Sequence, residues 1–145
     1  GGKIHTPLGA WYHGTKFALE AISDCLRMEV EPFGINVVVV EPVGIKTEWA
    51  DIAAQKLREV SGEGPYGHQA LPMGESMIGR ASRQRQSPLE LIADTIAKAV
   101  QTRRPKTRYA VGFGARPMIF LRRLLPDRAF DRFMRLATGI PHQRG

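Results

Sequence analysis

From Ala10 onward, apolar residues recur with a helical period. Trp11, Ala18, Ile22, Leu26 and Val30 keep that spacing, and Tyr12, Leu19 and Met28 widen the stripe. The spacing predicts a helix over 10–31, ended by Pro32 and Gly34. The pattern then switches to Ile35-Asn36-Val37-Val38-Val39-Val40, which is β-branched almost throughout. A run that is apolar on both faces suits a buried parallel strand, here 35–40, closed by Pro42 and Gly44. A second helix is predicted over 47–60, with Trp49, Ile52, Ala53 and Leu57 on one side. Residues 61–86 hold five glycines and two prolines and read as a long loop or lid. In Ser87-Pro88-Leu89-Glu90 a serine cap, a first-turn proline and a capping-box glutamate open the next helix. It runs through Ile92, Ile96 and Val100 to Arg103-Arg104-Pro105. A short strand over 107–111 follows, then helices over 117–125 and 127–138 on either side of Pro126.

Helices alternating with strands, one of them wholly apolar, predict an α/β fold with a parallel sheet. Two strands cannot cover the apolar faces of three or more helices, so the chain reads as the C-terminal half of a larger doubly wound α/β domain. No repeat or low-complexity tract interrupts residues 1–145.

Composition narrows the class. The chain has 145 residues, 43% apolar and 24% charged, which is a globular balance. Its one cysteine, Cys25, excludes an intrachain disulfide and a cysteine-based zinc cluster, and beside Leu26 it is expected to pack in the core. No run of eighteen apolar residues exists. The start, Gly1-Gly2-Lys3, has neither methionine nor an apolar signal core, so residue 1 is not expected to be a natural start. His5, His13, His68 and His142 lack metal-ligand spacing, and no metal site is expected.

The net charge of +7 is unevenly placed. Residues 1–97 carry nine Lys and Arg against twelve Asp and Glu, whereas residues 98–145 carry twelve against two. The basic end is also amphipathic, from Pro117-Met118-Ile119-Phe120-Leu121-Arg122-Arg123 to Phe130, Phe133 and Met134. That pattern suits a helix lying on a membrane surface, or one packed on its own domain or a sister subunit. It lacks the interleaved exposed aromatics of an RNA-binding pattern, and no nucleic-acid partner is expected.

The sharpest chemical constellation is Tyr12-His13-Gly14-Thr15-Lys16. Residues four apart share a helix face, so a phenol and an ammonium can approach one point. A cation beside a phenol favours its ionised form, which makes the phenol usable as a proton donor and acceptor. The turn Glu41-Pro42-Val43-Gly44-Ile45-Lys46-Thr47 leaves the carboxyl end of the predicted strand, where doubly wound sheets bind ligands. Its amides and the Thr47 hydroxyl are candidate donors; alternatively Thr47 only caps the following helix.

Gly1-Gly2, Pro7, Tyr12-x-x-x-Lys16-Phe17-Ala18-Leu19-Glu20, Leu26-x-x-Glu29-x-x-x-Phe33-Gly34-Ile35-x-Val37 and Pro42-x-Gly44-Ile45-x-Thr47 follow one family's order and spacing. In these residues the chain resembles the C-terminal half of the short-chain dehydrogenase/reductase family, strongly over 1–50 and more weakly beyond. The resemblance implies that residues 1–145 are part of a single Rossmann-type dinucleotide-binding domain. It would carry a lid over about 47–86 and basic helices over about 117–138. It implies hydride transfer between NAD or NADP and an alcohol or ketone, with a hydrophobic substrate. Tyr12 would be the catalytic acid/base, and Lys16 would support the phenol and hydrogen-bond the nicotinamide ribose. Pro42, Val43, Gly44, Ile45 and Thr47 would line the nicotinamide pocket, and Pro7 and Trp49 would face the substrate. It also implies a homo-oligomer, with the apolar first helix suited to a dimer face, and a cytoplasmic location with peripheral membrane contact as an option.

Departures from the pattern carry their own expectations. No Gly-rich dinucleotide turn is present: Gly62-Glu63-Gly64 and Gly112-Phe113-Gly114 do not open a helix after the right strand. The family's catalytic serine would precede Gly1, and Thr6 is too close to Tyr12 to replace it. The chain alone is therefore expected to be a poor enzyme or none. Val43 stands where the family has glycine, and a β-branched residue resists a positive φ, so a distorted turn is expected there. Two rival readings are a non-catalytic remnant or dimerisation module, and a basic membrane-surface binder.

Overall fold

A computed structural model of the chain describes residues 1–141. Helix α1 (Ala10–Val30) runs into a 3-10 turn (Glu31–Phe33), and Gly34 at φ 73° ends it. Strand β1 (Val39–Pro42) follows, then α2 (Trp49–Ser61), α3 (Gly67–Ile78), α4 (Arg80–Gln84) and α5 (Glu90–Gln101). Strand β2 (Arg108–Val111), α6 (Ala115–Leu124) and α7 (Asp127–Ala137) complete the described chain.

The two strands pair in parallel, with Val39 opposite Arg108 and Pro42 opposite Val111. Their helices lie on both faces. Glu20 and Asp24 of α1 reach Arg108 on one face. Ile96, Ala99 and Val100 of α5 border a cavity with Val38 and Val40 of the other. Beyond β1, Val43 N–H still donates to the Val111 carbonyl at 2.9 Å. The strands are so close there that a Cβ on Gly112 would lie 2.0 Å from the Val43 oxygen, and Gly112 holds φ 96°.

Several expectations need correction. The strand sits at Val39–Pro42 instead of 35–40, because β2 offers partners only along that length, and Ile35 N–H donates back to the Val30 carbonyl. The predicted loop over 61–86 is largely helical. Ala70, Met73, Gly74 and Met77 recur at helical spacing, and among them Ala70 and Gly74 are buried. The small residues Ala54, Ala70 and Gly74 let α2 and α3 pack closely; a Cβ on Gly74 would lie 3.7 Å from the Ala54 carbonyl oxygen. Gly67, Pro72 and Gly74 hid that period by looking like turn residues.

Ser87 does not cap α5, whose first turn has no side-chain cap. Ser87 instead joins the turn after β1: its N–H donates to Gly44 O, its carbonyl accepts from Lys46 N, and its hydroxyl accepts from Phe113 N–H. The apolar stripe of α1 is not core either. Trp11 is 92% exposed, and Ile22, Leu26 and Met28 are exposed; Cys25, expected inside, is exposed as well. The buried side chains of α1 are His13 and Glu20. By contrast, α7 spends its apolar side within the chain, burying Phe130 and Met134. No helix among the described residues is long and apolar enough to cross a membrane.

Candidate active site

The i, i+4 rhythm of α1 places Tyr12, Lys16 and Glu20 in a row along one cavity. The segment before the helix crosses this row backbone first. A Cβ on Gly1 would sit 3.3 Å from the Tyr12 hydroxyl and 3.2 Å from Lys16 Cγ. One on Gly2 would sit 2.6 Å from Glu20 Cγ, so a side chain there would displace the segment. The Lys16 ammonium lies 5.6 Å from the centroid of the Tyr12 ring. It forms no salt bridge among the described residues.

His13 ties the same segment down from the next position of the helix. Its Nδ1 donates to the Gly1 carbonyl at 2.8 Å, and its Nε2 accepts from the Thr6 hydroxyl at 3.1 Å. Burial holds the imidazole below its ordinary range, although the bond to Gly1 favours the charged form. A neutral ring satisfies both contacts.

Tyr12 is half-exposed and forms a wall of two cavities. The first, about 260 Å³, is bordered by Lys16, Glu20 and Glu41, and by Pro42 and Val43 at the end of β1. The second, about 340 Å³, is almost wholly apolar: Pro7, Leu8, Trp49, Leu57, Met73 and Met77 surround it. The Tyr12 and Trp49 rings stand 5.4 Å apart between centroids.

The first cavity is underpinned by charge. Glu20 Oε2 meets Lys3 Nζ at 2.8 Å and Arg108 Nε at 2.9 Å, and Arg108 Nη2 lies 2.8 Å from Asp24 Oδ2. Burial pushes Glu20 up, but Lys3 and Arg108 together outweigh it and hold the carboxyl below its usual range. Asp24 is held at about 2 by a hydrogen bond from Arg27 and by the adjoining Arg108 guanidinium. Glu41 is the odd member. Its Oε1 reaches Arg108 Nε only at 3.5 Å and has no hydrogen-bond partner, and burial together with the Glu20 charge raises its pKa.

The structure thus brings Tyr12, Lys16, Pro42 and Val43 to one cavity and Tyr12, Pro7 and Trp49 to the other. Gly44, Ile45 and Thr47 border neither. Val43 does not distort the turn: the positive φ, 58°, falls on Gly44, and Val43 keeps its strand hydrogen bond. The Thr47 hydroxyl accepts weakly from Trp49 N–H at 3.4 Å, at the entry to α2. Sequence reasoning missed His13, Lys3, Glu20, Glu41 and Arg108 as builders of the site. The i+4 and i+8 positions after Tyr12 were a usable signal for Glu20. Nothing in the sequence pairs it with Arg108, 88 residues away. Met73 and Met77, within the stretch expected to form a lid, line the apolar cavity. Among the described residues no cluster could hold a metal ion; His142 lies outside them.

The family model described as short chain dehydrogenase matches residues 1–57. Over 93% of its length the chain is 30% identical to 17-beta-hydroxysteroid dehydrogenase type 6 of Mus musculus. It is 35% identical over 92% of its length to YbbO, an oxidoreductase of Escherichia coli. Over 83% of its length it is 31% identical to retinol dehydrogenase 7 of Rattus norvegicus. In these comparisons the chain is similar to the short-chain dehydrogenase/reductase family. Parallel strands with helices on both faces agree with that family's Rossmann-type α/β fold. The chain spans 45%, 44% and 42% of the lengths of those three relatives. No solved structure matches it significantly.

Proposed function

We propose that this chain carries the proton-handling and substrate-facing part of an NAD- or NADP-dependent oxidoreductase that interconverts an alcohol and a ketone. What supports the reading most is the position of Tyr12 as the shared wall of a polar cavity holding Lys16 and an apolar cavity holding Trp49. A nicotinamide cofactor fits the polar side: an unpaired ammonium and a side-chain-free backbone at Gly1 adjoin the phenol there. When bound, the cofactor supplies or accepts the hydride. Tyr12 gives a proton to the substrate oxygen in reduction and takes one in oxidation. Lys16 stabilises negative charge on the phenol oxygen and holds a hydroxyl of the cofactor's sugar. Pro42 and Val43 bound the nicotinamide, while Gly44, Ile45 and Thr47 hold the turn that presents them. Pro7, Trp49, Met73 and Met77 receive an apolar substrate, and the α2–α3 hairpin moves as its lid.

The relatives include a hydroxysteroid dehydrogenase and a retinol dehydrogenase, and a large hydrophobic alcohol suits the apolar cavity. The exposed apolar face of α1 serves a homo-oligomeric contact in the complete protein. The isolated chain binds NADH and NADPH poorly, and a fluorescence titration that gives micromolar affinity would refute that part. The catalytic reading is tested by Tyr12→Phe, Lys16→Met and the double variant in the protein that contains this chain. If the pair acts as a unit, the double loss in kcat/KM falls well short of the product of the single losses. Full multiplicativity, or undiminished turnover in Tyr12→Phe, contradicts it.

A further inference from the structure

A further hollow, of about 770 Å³, lies along the outer side of β2. The α5 helix forms one wall and α6 the other, so the free edge of the sheet lies at its bottom. Leu91, Val111, Ile119 and Phe120 make the apolar part of the lining. Lys98, Arg104, Lys106, Arg116 and Arg123 stand around it, and none of the five has a salt-bridge partner among the described residues. Two further cations of the lining, Lys3 and Arg108, are already engaged with Glu20. Glu41 is its one acidic residue, and it belongs to the same engaged cluster.

The edge itself has unfilled hydrogen bonds. Thr107 and Val111 turn their carbonyls to β1, where they accept from Val39 and Val43. Alternate residues of a parallel strand face alternate sides, so Arg108 and Ala110 turn their N–H and C=O groups toward the hollow. Proteins commonly guard such edges with cations, and five unpaired ones repel a second copy of the same edge. The same charge attracts an acidic strand.

We propose that this groove binds an extended acidic peptide segment of a partner protein, which adds to the sheet beside β2. Its backbone pairs with Arg108 and Ala110, one set of alternate side chains lies toward Leu91 on the α5 wall, and carboxylates on the other set meet Arg116 and Arg123, which flank Ile119 and Phe120 on the α6 wall. An unfolded strand fits between the two helices, whereas a lipid surface or a nucleic-acid duplex would meet only the cationic rims.

The test is fluorescence anisotropy of the whole chain with a labelled ten-residue peptide of alternating Glu and Val. Saturable binding is expected, weakened at least tenfold between 50 and 300 mM salt. Replacing every Glu by Lys, or methylating alternate backbone nitrogens of the peptide, should each weaken it at least tenfold. The methylated probe keeps its charge and leaves the protein untouched, so loss of folding cannot imitate its effect. The variant Arg116→Glu/Arg123→Glu should lose at least tenfold. Equal binding of the methylated peptide would overturn strand addition and leave a bare cationic patch. Anionic vesicles or a single-stranded oligonucleotide binding where the Glu-Val peptide does not would overturn the choice of partner.

Discussion

Two walls meet at Tyr12, and they are held by opposite chemistry. The polar wall is α1 against the strands, joined through Lys3, Glu20, Asp24 and Arg108 while the helix leaves its apolar stripe exposed. The apolar wall is the α2–α3 hairpin, joined by contact of the small residues Ala54, Ala70 and Gly74 and bridged at its exposed side by one ion pair, Arg58 to Glu75. Ion pairs are directional, so they fix how α1 is turned and therefore where Tyr12 and Lys16 point. Packing of small residues fixes distance, and it leaves flexible Met73 and Met77 to adapt to an apolar guest.

The two walls should break differently. Arg108→Ala leaves Glu20 with Lys3 alone and Glu41 without its nearest guanidinium, and it should cost about 1–3 kcal/mol, since a half-buried pair lies between exposed and buried ones. Urea unfolding at pH 7.5 measures it, and an unchanged midpoint would mean that the cluster does not hold α1. Ala70→Leu pushes methylenes into a fully buried helix contact and should cost about 1–3 kcal/mol by the same assay, without moving the pH dependence of stability. Trp49→Ala empties one side of the apolar cavity. It should raise KM for a large hydrophobic alcohol about tenfold, roughly 1.4 kcal/mol, and leave kcat for a small one within about twofold.

The smallest effect is in pH. His13 is held below its ordinary range when folded, so folding favours its neutral form. The stability it contributes is complete above about pH 6.5, the unfolded value, and is lost as pH falls through the folded value. Unfolding midpoints at pH 7.5 and 5.5 should therefore differ in that direction, and His13→Gln should flatten the difference. A slope that survives the substitution would assign it elsewhere.

The helices that carry the site were legible because their signals are local. The stripe from Trp11 to Val30 gave α1 its limits to within a residue, and the spacing of Tyr12 and Lys16 put both on one cavity. Which face of α1 meets the sheet was not legible, because Glu20 is buried only by virtue of Lys3 and Arg108, far from it in sequence. The apolar stripe therefore suggested a core that is instead an exposed face. The α3 helix was missed for a different reason: glycine and proline disfavour isolated helices, but here Gly67, Pro72 and Gly74 lie within a helix held by its packing on α2. Strand β1 was displaced because the β-branched run is longer than the partner strand it meets.

In the proposed reaction the Tyr12 hydroxyl exchanges a proton with the substrate oxygen. That exchange is tested most directly by single-turnover hydride transfer with saturating NADPH and a hydrophobic ketone, comparing the native protein that contains this chain with Tyr12→Phe. Hydride transfer in Tyr12→Phe should be slowed at least about 100-fold, with cofactor affinity changed little. A rate within about twofold of native would contradict it.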